Sequence, residues 1–389
     1  MVQNPEYFFG RSPEHGYVNP DNLQILLSHL KCAAFELPLQ EDEKFGTHDL
    51  KRLCEYLAEV GFLHLSSDGW HWVSESYPAD AISLRSISSD NFVIVDITNE
   101  AKVIGEVDFP SALTMVHEKA IYIQNGEQYH VEKLDYDERK AYIKKCDSDY
   151  YTDAIDYTKI KILETFETTP AGAARKNHGE VQVNTQVVGF KKIKFHTNEN
   201  VGSGQLSLPE QEMHTTAYWL TLPREMLEQL PYGRAERLDG VNGLGNALQA
   251  IATLLVMSDA RDLGVAVGEN EGMSHESGVQ SPESGISSQP PAVGSEAVVR
   301  GPRSNTYVRQ TNVFEPNIYL YDKYPGGVGL SEPLFRMNET LLENTYKLIS
   351  NCSCLSGCPS CVGPVGEVGE KGKEVALAIL KQLAAASGR

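Results

Sequence analysis

The run Cys352-Ser353-Cys354-Leu355-Ser356-Gly357-Cys358-Pro359-Ser360-Cys361 holds four of the chain's seven cysteines within ten residues. Its spacing, C-x-C-x3-C-x2-C, lets one segment bent by glycine and proline wrap four thiolates around a single ion. Tetrahedral sulfur coordination favours one zinc ion. An iron–sulfur cluster also takes four thiolates, although its common runs space the cysteines differently. Two disulfides would need an oxidising compartment, and nothing in the sequence points to one. Cys352, Cys354, Cys358 and Cys361 are therefore the candidate ligands of a structural site, since four thiolates leave zinc no open position for catalysis. Cys32, Cys54 and Cys146 are scattered as ordinary core residues would be.

The sequence around this run reads as a mixed α/β domain spanning 169–389. Asn317 to Asp322 has the pattern of a strand, about Ser331 to Ser350 of a helix, and Lys373 to Ala386 of a closing helix. Between strand and helix, Pro325-Gly326-Gly327-Val328-Gly329 is a tight turn. It could present amides to an anion or allow close packing, and close packing is the favoured reading. Val181–Val188, Gly189–His196 and Thr215–Thr221 read as strands, and Leu238 to Met257 as one long helix. The stretch 268–306 has no aromatic residue and no leucine, but many Ser, Gly, Pro and Glu. It cannot bury enough surface to offset its ordering entropy, so a disordered insertion is expected there.

Residues 19–90 follow a different order. Asn19-Pro20 opens a helix predicted to Glu36, Thr47 can cap a second helix that stops at Gly61, and Phe62–Leu65 and Trp70–Val73 flank a Ser66-Ser-Asp-Gly69 turn. Helices followed by a hairpin suggest a winged-helix module. Its second helix sets Lys51 and Arg52 against Asp49, Glu55 and Glu59, which fits packing better than base reading. From 91 to 168 short alternating runs, with Asn125-Gly126 as a hairpin signal, predict a small β-barrel-like region. The fold class is thus α+β and multidomain: winged helix, small strand-rich barrel-like region, and mixed α/β domain with a four-cysteine zinc site.

A net charge of −19 argues against a surface that coats nucleic acid or an anionic membrane as a whole. The local exception is Arg175, Lys176, Lys191, Lys192 and Lys194, interleaved with Phe190 and Phe195. This is the candidate phosphate-contacting set, with a solvated strand face as the plain alternative. No run of about 20 apolar residues is present and the N-terminus lacks a signal-peptide layout, so the chain reads as cytoplasmic and free of membrane. There is no phosphate-binding loop, no G-x-S-x-G and no H-E-x-x-H. Asp259 and Asp262 could pair as an acid/base or metal couple, but read better as charge caps or salt-bridge partners. The chain alone does not look like an enzyme.

Several stretches together closely resemble the C-terminal part of the YprA/MrfA-type helicases, superfamily 2 DNA helicases of the DEAD/DEAH-box type. They are Asn4 to His15, Asn19 to Asn22 leading into His29 to Leu39, Tyr321 to Gly329, and the cysteine run. The resemblance implies two RecA-like motor domains followed by a winged helix and a zinc-binding domain with this cysteine pattern. It further implies an ATP-dependent 3′-to-5′ DNA translocase in repair as parent, acting on single-stranded or 3′-tailed DNA. The motor domains of the same parent chain and a repair nuclease are the implied partners, with nucleoid association when on DNA. The motor motifs are absent here, so residues 1–18 read as the tail of a missing motor domain. ATP and magnesium would belong to that motor alone. Two rivals stand beside this reading: a free-standing winged-helix and zinc DNA-binding regulator, and a helicase subunit of phage defence.

Overall fold

A computed structural model of the chain describes residues 4–10, 17, 19–82, 90–269 and 315–385. After a short helix α1 (Pro5–Phe9), α2 (Leu23–Glu36) starts later than Pro20 because Asn22 is its cap. The Asn22 side chain accepts from the Gln24 and Ile25 amides, both at 3.1 Å, satisfying two donors that a helix start leaves open. Asp49, rather than Thr47, caps α3 (Leu50–Glu59), and Gly61 in the left-handed region (φ +83°) carries the chain out. β1 (Leu63–Ser66) and β2 (Gly69–Trp72) pair antiparallel as the wing. Leu30, Ala34, Leu50, Cys54, Leu57, Leu63 and Trp70 close a core of their own, so the winged-helix expectation holds.

A five-stranded sheet follows, formed by β3 (Asn91–Asp96), β4 (Lys102–Asp108), β5 (Ile121–Gln124), β6 (Glu127–Asp135) and β7 (Lys140–Cys146), with α4 (Phe109–Met115) between β4 and β5. Its order is β4-β3-β7-β6-β5, with β3 and β7 parallel. The two edges come together where Gln124 Nε2 on β5 donates to the Ile104 carbonyl on β4 at 2.9 Å, which makes the sheet nearly closed. Asn125 and Gly126 take φ +51° and +80°, as a two-residue hairpin turn requires.

The strands β8 (Tyr150–Ala171) and β9 (Ala174–Lys194) are 22 and 21 residues long, far beyond the usual strand. Residue 168, the expected end of the barrel-like region, therefore falls inside β8. The expected strands Val181–Val188 and Gly189–His196 are one strand. Register shifts at Ile155/Asp156, Ile162/Glu164 and Thr165/Glu167 let this hairpin bend and continue. Gly189 does not break the strand. A Cβ there would lie 2.7 Å from the Gly204 carbonyl, so the glycine admits the neighbouring β10 (Asn200–Gln205).

β11 (Gln211–Thr221), the short α5 (Arg224–Glu228), the long α6 (Arg234–Leu255), β12 (Leu263–Glu269) and β13 (Pro316–Asp322) complete the second sheet, ordered β10-β9-β11-β13-β12 with β8 on β9. Period-two alternation sends Tyr218, Leu220, Ile318 and Leu320 to a helical layer, and Ala217, Trp219, Tyr319 and Tyr321 to the opposite face with Val181 and Val183. The helix predicted over 331–350 is two, α7 (Ser331–Arg336) and α8 (Asn338–Asn351), broken at Met337, because Asn338 turns to accept the buried Tyr218 hydroxyl at 2.7 Å. α9 (Val365–Val368) and α10 (Gly372–Ala385) close the chain. α10 crosses α6 at Gly240, where a Cβ would sit 2.3 Å from Val375 Cγ1. Of the insertion expected over 268–306, Gly268 and Glu269 belong to β12, paired with Asn317 and Pro316, and the rest lies outside the described residues.

Asp156 sits at the first bulge of β8, where burial pushes its carboxyl up to about 6 and Lys323 only partly offsets this. An acid held above its unfolded value contributes most stability below about pH 4 and loses it as pH rises through about 6. Asp156→Asn should therefore raise the melting temperature at pH 7.5, by about 1–3 kcal/mol in stability, and give no gain below pH 4. Thermal unfolding at the two pH values checks this.

Candidate metal centre and flanking contacts

The four cysteines leave the end of α8 and double back before α9, with Gly357 (φ +141°) and Gly363 (φ +108°) at the reversals. Their sulfurs form a ring: Cys352–Cys354, Cys352–Cys358 and Cys354–Cys361 at 3.5 Å, and Cys358–Cys361 at 3.6 Å. All four lie within 4.8 Å of one another. Each sulfur thus has two equal neighbours instead of one, which does not fit two disulfides. A tetrahedral zinc at about 2.3 Å from each sulfur would separate them by roughly 3.8 Å, close to this spacing. A multi-iron cluster would hold them further apart around its own atoms. The residues present fit zinc.

Local structure explains the preorganisation. The Cys358 carbonyl accepts from the Cys361 and Gly363 amides, each at 3.0 Å, and the Val362 carbonyl accepts from Asn246 Nδ2 on α6 at 3.0 Å. Cys361 and Val362 are buried in the main core with Val368. The Cys354 amide and neighbouring thiols pull the Cys352 thiol down to about 7, and burial pushes Cys361 up to about 12. Metal entry must therefore displace protons, and retention should fall with acid. Lys373, at the start of α10, turns its ammonium into the back of the loop. In the sequence it only ends a Gly366–Lys373 run whose spacing is wrong for a phosphate-binding loop.

The Pro325–Gly329 turn is used for packing, as favoured from sequence. Its outgoing amides, Val328, Gly329 and Leu330, donate to Asp322 Oδ2 at 2.8, 3.0 and 3.1 Å, so they are spent on the chain's own carboxylate. Burial holds the Asp322 carboxyl above its usual range while these amides oppose the shift. The turn's carbonyls at Pro325 and Gly327 accept from Asn22 Nδ2 at 2.9 and 2.7 Å, and the Val328 carbonyl from the Asn19 amide at 2.8 Å. One asparagine thus caps α2 and fastens the winged helix to the zinc domain. Nothing in the sequence pairs positions some 300 residues apart.

The five basic candidates do not form one face. Arg175 and Lys176 lie about 50 Å along β9 from Lys191, at about 3.3 Å per residue. Lys176 donates to the Phe335 carbonyl at 3.0 Å and stands 4.5 Å from that ring, and Arg175 reaches Glu315 at 3.9 Å. Lys191, Lys192 and Lys194 share the end of β9, opposite Asp153, Thr152 and Tyr150 of β8, but strand alternation puts Lys192 and Lys194 on one face, with Lys192 4.8 Å from the Tyr150 ring, and Lys191 on the other. The Tyr151 and Phe195 rings lie 5.5 Å apart beside them. Asp259 pairs with Arg261 at 3.2 Å and its amide donates to Asp262, the salt-bridge role that the sequence offered beside capping.

Residues 18–87 match the winged helix domain of the ATP-dependent helicase HRQ1, and residues 295–362 match the MrfA Zn-binding domain. Over 385 residues the chain is 41% identical to the uncharacterized ATP-dependent helicase YprA of Bacillus subtilis, covering 98% of this chain and 46% of that protein. It is 24% identical over 353 residues to the ATP-dependent helicase HRQ1 of Saccharomyces cerevisiae, covering 88% of this chain and 29% of that one. Among solved structures, the DUF1998 helicase MrfA superposes with a TM-score of 0.58 at 36% identity, over 97% of this chain and 46% of that chain. MrfA bound to DNA gives 0.50 at 39% identity, over 98% and 46%. The chain spans less than half the length of these relatives.

Proposed function

This chain carries the winged-helix and zinc-binding, C-terminal part of a YprA/MrfA-type helicase, and on that premise we propose that it guides single-stranded DNA for an ATP-dependent 3′-to-5′ DNA helicase of repair. The reading is supported above all by the extent of the likeness, which covers 98% of this chain. ATP and magnesium are handled by RecA-like motor domains of the same parent chain, so this region alone should not hydrolyse ATP. One structural zinc ion per chain holds the last domain together. The partners are 3′-tailed or single-stranded DNA, the motor domains and a repair nuclease. The place of action is the cytoplasm, at the nucleoid when on DNA. No described helix is long and apolar enough to cross a membrane.

The end of β9 is the assigned DNA contact. On one face of the strand end Lys192 and Lys194 supply phosphate contacts beside the Tyr150 ring, and on the other Lys191 does so beside Tyr151 and Phe195, rings on which bases can stack. Arg175 and Lys176 are left out because their partners are internal. Replacing the three lysines with alanine should weaken binding of a 3′-tailed oligonucleotide for every sequence and flatten the salt dependence of log K by about 1–2 per decade of salt. Fluorescence anisotropy across a salt series measures both. Unchanged affinity and slope would remove this strand end from the DNA path, and no binding by the unmodified chain would count against the guiding role itself.

A further inference from the structure

Lys373 is 8% exposed, and three donor contacts account for its ammonium group. Its Nζ lies 2.7 Å from the Cys352 carbonyl, 2.6 Å from the Cys354 carbonyl and 3.6 Å from Cys354 Sγ. No carboxylate pairs with it among the ion pairs of the described residues. Around this helix start Glu236 takes the neighbouring Lys371 at 2.8 Å, and Glu374 accepts from the Tyr232 hydroxyl at 2.9 Å. From Leu348 to Gly366 the chain has no charged side chain at all. A buried cation needs a compensating negative charge. Within reach of Lys373 that charge is the thiolate set, which with zinc would carry two net negative charges.

We propose that Lys373 is the counter-ion and positioning residue of the metal centre, a role that rests on the zinc reading above. Its ammonium cancels half of the net charge of a zinc–tetrathiolate site and fixes the carbonyls on either side of Ser353, which sets the angle between the first two ligands. Its hydrogen bond to Cys354 Sγ draws density from that sulfur. The lysine sits in the first turn of α10, and two residues on Val375 packs against Gly240 of α6. Lys373 therefore couples the metal to the packing of the closing helix.

The test uses the full chain loaded with Zn(II) or Co(II). Lys373→Met keeps the length and loses charge and donors, whereas Lys373→Gln keeps donors and loses charge. Both variants should release Zn(II) to a chelator about 10–100-fold faster or bind it that much more weakly, the range seen when outer-shell partners of metal ligands are removed. In the Co(II) forms the sulfur-to-metal charge-transfer band should move to lower energy, because a thiolate without its cationic donor is easier to oxidise. A merely structural lysine would not move that band. Release and band position within twofold and unshifted in Lys373→Met would overturn the proposal, and wild-type behaviour of Lys373→Gln would overturn the charge role. If Lys373→Met does not accumulate, the glutamine variant bears the test. An unmodified chain that holds no metal overturns the zinc reading, and this role with it.

Discussion

Cys358→Ser should empty the metal centre and lower the melting temperature by roughly 10–20 °C. Cys358 Sγ lies 3.5 Å from that of Cys352 and 3.6 Å from that of Cys361, and its carbonyl takes the amides of Cys361 and Gly363. Structural zinc contributes about 10–16 kcal/mol to small zinc peptides, which is comparable with the whole stability of a domain. Here the large helical core keeps part of the fold without metal, so a loss of about 5 kcal/mol is the appropriate scale. The loss will not remain local. Cys361, Val362 and Val368 lie in the same core as α6 and α10. Hydrogen exchange should accelerate from Cys352 through α10, with the winged helix unaffected. Chelation of the unmodified chain should reproduce the same pattern, and a melting temperature within 2 °C of wild type would contradict the structural role.

Gly327→Ala is expected to have the second largest effect, at about 3–5 kcal/mol. Gly327 holds φ +73°, a conformation that costs an L-residue roughly 1–2 kcal/mol. A Cβ would also lie 2.2 Å from Thr216 Oγ1 and 3.1 Å from its Cβ, so β11 or the turn must move. Moving the turn pulls the Gly327 carbonyl from Asn22, weakening a buried bond that joins the winged helix to the zinc domain. Asn22→Ala should do part of the same damage, about 2–4 kcal/mol, through the lost cap and two buried carbonyls left without a donor. Differential scanning calorimetry of both variants, with exchange measured at the α2 start, separates the two. If Gly327→Ala melts like wild type, the turn is not the strap described.

The parts of the fold that depend on short-range chemistry were legible in the sequence. Asn125-Gly126 specifies its own turn, the hydrophobic spacing of α2 and α3 specifies their faces, and four cysteines in ten residues specify a cluster able to hold a metal. What was not legible depends on contacts across long separations. Gly189 looks like a strand end until Gly204 is seen to need the space, and the continuous β8–β9 hairpin depends on bulges that leave no mark in a period-two pattern. Lys191, Lys192 and Lys194 lie together at one end of β9, whereas Arg175 and Lys176 share only their strand. Lys373 and Asn22 were invisible because a lone lysine or asparagine acquires a role only from the carbonyls that the fold brings to it.

The most direct measurement is the elemental composition of the purified full chain, determined without added metal. The account predicts one zinc per chain, no stoichiometric iron or acid-labile sulfide, and loss of the zinc in Cys358→Ser. A chain that is folded, cooperative in melting and free of stoichiometric metal would contradict it, as would iron with labile sulfide in place of zinc.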